Sequence, residues 1–195
     1  SIIYDLIPLI NPDLYLSGNS SFSNFYFSRI EMIKKLDGLL AISSSSASEA
    51  IKYLDFDKSK VFNILSACDN DLFTESETNN HKLDDIHNFK PYILYSGASD
   101  PRKNVKSLLE AFSLLPWDLL LRYKLVLAGK LLEPEINLIK EWISLFNIEP
   151  SNVILLDYVS DNYLVSLYQN CSLFVFPSFH EGFGLPVLEA MSCGA

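Results

Sequence analysis

Residues 92–115 read YILYSGASDPRKNVKSLLEAFSLL, and this stretch decides the fold. Its first five residues are apolar almost throughout, the pattern of a strand covered on both faces of a sheet. From Asn104 the period changes. Val105, Leu108, Leu109 and Phe112 fall at i, i+3, i+4 and i+7, which gives a helix one apolar face. Between strand and helix lies a loop with one glycine, one proline and two adjacent cations. Strand, loop and one-sided helix in that order make the first half of a βαβ unit.

Working outward, the same alternation repeats. YKLVLA (123–128), NVILL (152–156) and SLFVF (172–176) are further apolar runs. Between them, residues 135–146 place Ile136, Ile139, Ile143 and Phe146 on one helical face, and residues 161–169 form a shorter helix capped by Ser160 or Asp161. Strands of this kind alternating with helices predict a parallel sheet covered on both faces, a Rossmann-like α/β unit. The first part of the chain repeats the scheme in miniature: IIYDLI (2–7), a helix over about 22–36, GLLAIS (38–43), a helix ending near Leu54, and VFNIL (61–65). Ser46 with Glu49 three residues on fits a capping box, which makes the serine run a helix start. Residues 74–88 turn polar. The expected organisation is a first domain over 1–73, a linker over 74–90 and a second domain over 91–195. The chain starts inside a strand-like run and stops just after a capped helix, so it reads as the middle of a longer protein.

Composition narrows the function. Half the residues are apolar (49%), enough for a sizeable core, and the net charge of -9 repels a polyphosphate backbone, which argues against nucleic acid as a partner. Cys68, Cys171 and Cys193 are odd in number and widely spaced, so neither a disulfide framework nor a zinc site is expected. A reducing cytoplasm is the expected compartment. No apolar run reaches the roughly 18 residues of a membrane span.

In an open parallel sheet, ligands bind beyond the carboxyl ends of the strands. Two loops there carry chemistry. In SGASDPRKN (96–104), Arg102 and Lys103 stand at a helix entrance, where free N–H groups and the helix dipole already favour an anion, and Lys106 follows one turn on. The loop has the single glycine Gly97 and neither GxGxxG nor GxxxxGK, so it is not a dinucleotide fingerprint or a P-loop. In HEGFGLPVLEA (180–190), Glu181 lies on the loop and Glu189 one turn inside a helix that has Pro186 in its first turn and Gly194 as its stop. Gly182 and Gly184 let backbone amides approach a ligand between the two carboxylates. Such a pair can accept hydrogen bonds from several hydroxyls, as a sugar or ribose offers. Asp69-Asn70-Asp71 is formally a DxD metal–nucleotide motif, but it falls between the two domains. His81 and His87 sit in the polar linker; His180 stands beside Glu181.

PSFHEGFGLPVLEAMSCGA (177–195) resembles the Glu-x7-Glu signature of retaining glycosyltransferases of family four, which have the GT-B architecture of two Rossmann-like domains. YILYSG, PRKNVKSLLEAF, YKLVLAG and DYVSDNYLVSLYQNC are similar to that family in order and spacing. YDLIPL and KKLDGLLAISSSSASEAI resemble the end of its N-terminal, acceptor-side domain. The resemblance implies that Glu189 meets the ribose hydroxyls of a nucleotide-sugar donor and Glu181 the transferred sugar near its anomeric centre. Gly182, Phe183 and Gly184 would hold sugar and phosphate through their backbone, with Gly97 and Leu185 also in the donor site. Lys103 and Arg102 would act on the diphosphate, and Tyr158 with Val159 on the base. This chain departs from the family at Ala98, where many members have Arg and where Arg102 can supply the charge, and at Tyr4, where many have His.

The resemblance further implies transfer to a hydroxyl of a glycan or lipid-linked acceptor, with retained configuration and without metal or other cofactor. The DLIPL and PRKN stretches look most like bacterial mannosyltransferases of surface polysaccharide, which makes GDP-mannose the first choice of donor. Work at the inner face of a membrane, reached through a preceding region, is also implied. Two alternatives are a nucleotide-sugar epimerase of the same architecture and a non-catalytic nucleotide-sugar-binding domain.

Overall fold

The computed structural model describes residues 1–76, 86, 88–89 and 91–195. The chain divides into two compact units: residues 1–67 with 180–184, and residues 68–179 with 185–195. The division thus falls at Ala67, a few residues before the 73/74 boundary read from composition. Most of the stretch read as a linker, with His81 and His87, lies outside the described residues.

The first unit holds a parallel sheet of three short strands, β1 (Ile2–Ile3), β2 (Leu39–Ala41) and β3 (Val61–Asn63), in the order β1-β2-β3. Its helices are α1 (Ile7–Ile10), α2 (Pro12–Tyr15), α3 (Ser20–Ile33) and α4 (Ser44–Leu54). Ile3, Leu6, Ile30, Leu39, Ala41, Ala50 and Leu54 form its core. The strand expected over 2–7 ends at Ile3, because the Asp5 carboxylate accepts from the Ile7 N–H at 3.0 Å and starts a helical turn with Pro8 in it. The helix expected to begin at Ser46 begins at Ser44. Ser43, extended at the end of β2, accepts from the Ser46 N–H at 3.0 Å and is the N-cap, which leaves Glu49 for other work.

The second unit has four parallel strands, β4 (Tyr92–Ser96), β5 (Lys124–Ala128), β6 (Val153–Leu156) and β7 (Leu173–Phe174), in the order β6-β5-β4-β7. Helices α5 (Val105–Ser113), α6 (Trp117–Arg122), α7 (Glu133–Leu145), α8 (Asp161–Asn170) and α9 (Leu185–Ser192) connect or follow them. The short helix α6 was hidden in an apolar run. Ser160, one of the two expected caps, accepts from the Tyr163 N–H at the start of α8. The pleat sorts the core in two: Tyr92, Leu94, Val126 and Ala128 join Val165, Tyr168 and Ala190, while Tyr95, Leu125 and Leu127 join Leu109, Phe112 and Ile139. Burial on both faces is why these strands read as continuous apolar runs.

Strand order fixes where a ligand can sit. From β4 the chain moves outward through β5 to β6, then returns to place β7 on the other side of β4. The reversal makes β4 and β7 a topological switch point, the place at which open parallel sheets bind their ligands.

Candidate nucleotide-sugar site

Both chemistry-bearing loops of the sequence leave this switch point. After β4, Gly97 takes φ +141°, and at the neighbouring strand end Gly129 takes φ +154° with no room for a Cβ against the Gly97 carbonyl. A side chain at Gly129 would push the two strand ends apart. The Tyr95 hydroxyl donates to the Ala98 carbonyl at 2.7 Å and holds the loop's first turn. Residues Pro101–Lys103 then form a single 3-10 turn, and Asn104, with φ +58°, brings the chain into α5.

The two loops are tied to each other within this unit. The Asn104 side-chain amide donates to the Pro177 carbonyl at 3.2 Å, and the Phe179 N–H donates to the Arg102 carbonyl at 2.8 Å. The Lys103 ammonium lies 5.0 Å from the centre of the Phe176 ring, so a residue after β7 braces the cation that follows β4. Arg102 is engaged by Asp100: its backbone N–H donates to Oδ1 at 3.0 Å, and Nε lies 3.5 Å from the same oxygen. That pairing offsets part of the Arg102 charge.

Glu189 sits on α9, one turn from the helix start at Leu185, as its spacing from Pro186 indicated. Burial raises the pKa of its carboxyl above the usual value; a hydrogen bond from Tyr168 works in the opposite direction, and Asp161 adds to the rise. Gly194, with φ +81°, ends the helix and donates to the Met191 carbonyl. Tyr158 and Val159 follow β6, in a cleft of about 620 Å³ lined also by Phe89, Leu156 and Tyr163. The Tyr158 ring is 74% exposed there, available for stacking.

The segment 180–184, with Glu181, Gly182, Phe183 and Gly184, packs with the first unit. Here sequence reading missed the residues that hold it. Glu49 on α4 is only 8% exposed, and its Oε1 lies 2.6 Å from His180 Nε2. Its Oε2 accepts from the Leu6 N–H at 3.3 Å. Ser43 Oγ donates to the Gly182 carbonyl, and Ser46 Oγ lies 2.6 Å from the Tyr4 carbonyl and 3.1 Å from the Gly182 carbonyl. At Gly182 itself a Cβ would overlap the Tyr4 carbonyl oxygen, so only glycine lets the loop lie this close. Side chains of α4 and its cap therefore set the path of the loop that carries Glu181.

Asp69 of the formal DxD closes a local turn, its carboxylate accepting from the Asp71 N–H at 3.0 Å. Among the described residues no group of three or more His, Cys, Asp or Glu is placed to hold a metal ion. No described helix is long and apolar enough to cross a membrane.

Two α/β units, each with a parallel sheet, give the fold of GT-B glycosyltransferases. The chain belongs to the family described as Glycosyl transferases group 1, whose pattern residues 76–195 match. It is 39% identical over 197 residues to the serotype-specific mannosyltransferase WbdA of Escherichia coli, covering all of this chain and 24% of that protein. To the O-antigen chain mannosyltransferase B of Escherichia coli it is 35% identical over 168 residues, 80% of this chain and 41% of the relative. The chain thus spans about a quarter of the length of the first relative and under half of the second. The crystal structure of Anabaena Alr3699/HepE in complex with UDP-glucose superposes with a TM-score of 0.76 at 19% identity, over 99% of this chain and 50% of that one.

Proposed function

We propose that this chain is the part of a retaining mannosyltransferase that binds a nucleotide-sugar donor, GDP-mannose first, for transfer to a hydroxyl of a surface-polysaccharide acceptor. The observation that carries the reading is the pairing at the switch point: Lys103, braced on Phe176 after β4, and the helix of Glu189 after β7. Similarity to two mannosyltransferases supports the sugar. Residues 91–195 act as the donor-binding domain and residues 1–73 as the end of the acceptor-side domain.

The chemistry follows from where charge develops. As the bond from sugar to diphosphate breaks, negative charge grows on the leaving phosphate and positive character on the anomeric carbon. Lys103 and Arg102, with the amides at the start of α9, stabilise the first; the Glu181 carboxylate stabilises the second. Gly97, Gly182, Phe183, Gly184 and Leu185 shape the donor site through their backbone. Glu189 accepts from the ribose hydroxyls and Tyr158 with Val159 flank the base. Fixed cations replace a metal ion, and the work is done on the cytoplasmic side of a membrane.

The test is to incubate the full-length protein with GDP-mannose and other nucleotide sugars, with acceptor glycan, in the presence and absence of EDTA. GDP release that depends on acceptor and survives EDTA is expected. Interconversion of the sugar without acceptor would indicate an epimerase, and donor binding without turnover a non-catalytic domain.

A further inference from the structure

Behind Glu189 lies a buried chain of hydroxyls. Tyr168 on α8 has no exposed surface, its ring packed edge-on against Phe174 at 5.3 Å and tilted against Phe73 at 6.3 Å. Its hydroxyl lies 2.7 Å from Ser96 Oγ, at the last residue of β4, and 3.3 Å from Glu189 Oε2. Phenylalanine would fill the same apolar space, so packing does not explain the hydroxyl. An ionised carboxylate can only accept, so Tyr168 donates to Glu189. A phenol has one proton, so Ser96 in turn donates to Tyr168. The order is therefore single: Ser96 to Tyr168 to Glu189, from the end of β4 to α9.

We propose that Tyr168, aimed by Ser96, is a positioning residue that holds Oε2 of Glu189 and so orients the carboxylate towards the ribose hydroxyls of the donor. The inference rests on the reading of Glu189 given under Proposed function. Tyr168 engages Oε2, and a carboxylate has further lone pairs with which to accept from a ligand. A long side chain on an eight-residue helix would otherwise sample several rotamers and lose entropy on binding. Burial also raises the Tyr168 pKa, which keeps its proton available to the carboxylate.

The test is titration of the full-length protein with GDP, ADP and UDP, each beside its 2′-deoxy form, on wild type, Tyr168→Phe, Ser96→Ala and Glu189→Ala, with a melting curve for each. Wild type should prefer a ribonucleotide by about tenfold or more, as expected for a hydrogen bond to a charged group. Glu189→Ala should remove that preference, Tyr168→Phe should lose at least about threefold of it, and Ser96→Ala should fall between Tyr168→Phe and wild type. If Tyr168→Phe and Ser96→Ala melt lower yet keep the wild-type preference while Glu189→Ala loses it, the tyrosine is structural only and the inference is wrong. If Glu189→Ala also keeps it, or no nucleoside diphosphate binds, the ribose reading itself is overturned.

Discussion

Removing the Glu49 side chain tests whether the Glu181 loop is set by α4. In Glu49→Ala, His180 loses a partner at 2.6 Å and the Leu6 N–H one at 3.3 Å, at a site 8% exposed where water does not readily replace them. One hydrogen bond to a charged group is worth about 1.5–3 kcal/mol, and a buried donor left unpaired costs about 1–3 kcal/mol. The two overlap, since losing the bond is what orphans the donor, so about 2–3 kcal/mol is expected in total. At about 2–4 °C per kcal/mol for a chain of this size, the melting temperature should fall by about 4–12 °C. Glu49→Gln keeps an acceptor for one partner and should fall about half as far. The loop should also lose its path. A misplacement near 1 Å at a reacting centre can cost about a hundredfold in rate, so turnover in Glu49→Ala should drop well beyond the loss of folded protein, while GDP affinity stays within about threefold. A melting temperature within 1 °C of wild type together with unchanged turnover would refute the reasoning.

Three other outcomes follow from the same geometry. Gly182→Ala places a methyl group against the Tyr4 carbonyl and should destabilise by about 1–3 kcal/mol, measured by denaturant unfolding; wild-type stability would show that the loop can move aside. Lys103→Ala should weaken GDP binding by about 1.5–3 kcal/mol and guanosine binding hardly at all; equal losses for both would place the anion site elsewhere. Because burial raises the Glu189 pKa, acidification should protonate this carboxyl before an ordinary glutamate, and the preference for ribose should fade at a pH above the usual value of about 4.3. In stability the sign is the reverse: the apo protein gains from Glu189 below its unfolded pKa and loses that gain as pH rises through the folded one, a slope that Glu189→Gln should abolish.

Much of this was legible in the sequence because burial on both faces leaves a simple mark. YILYS matches β4 residue for residue, and helices α5, α7 and α8 begin and end within two residues of their apolar periods. Edge and first-unit strands were overread. The run 172–176 is assigned as strand only over Leu173–Phe174, although the Val175 N–H still donates to the Leu94 carbonyl. At Tyr4 and Asp5 a local turn, in which the Asp5 carboxylate accepts from the Ile7 N–H, overrode an extended pattern. In the site, Lys103 and Glu189 could be placed from local rules of loops and helix starts. Glu49 with His180 and Ser96 with Tyr168 could not, since the partners lie 131 and 72 residues apart and no period links them. A serine run with a glutamate after it offers a plausible local use for Glu49, and that local use was the wrong one.

The central claim is that the diphosphate binds at the switch point of the second sheet. The most direct measurement is a crystal structure of the full-length protein with GDP. The account predicts the diphosphate beside Lys103 and the start of α9, with the ribose hydroxyls on Glu189. GDP found instead in the cleft of about 750 Å³ near the amino ends of the strands, lined by Trp117, Lys140 and Asn152, would contradict it.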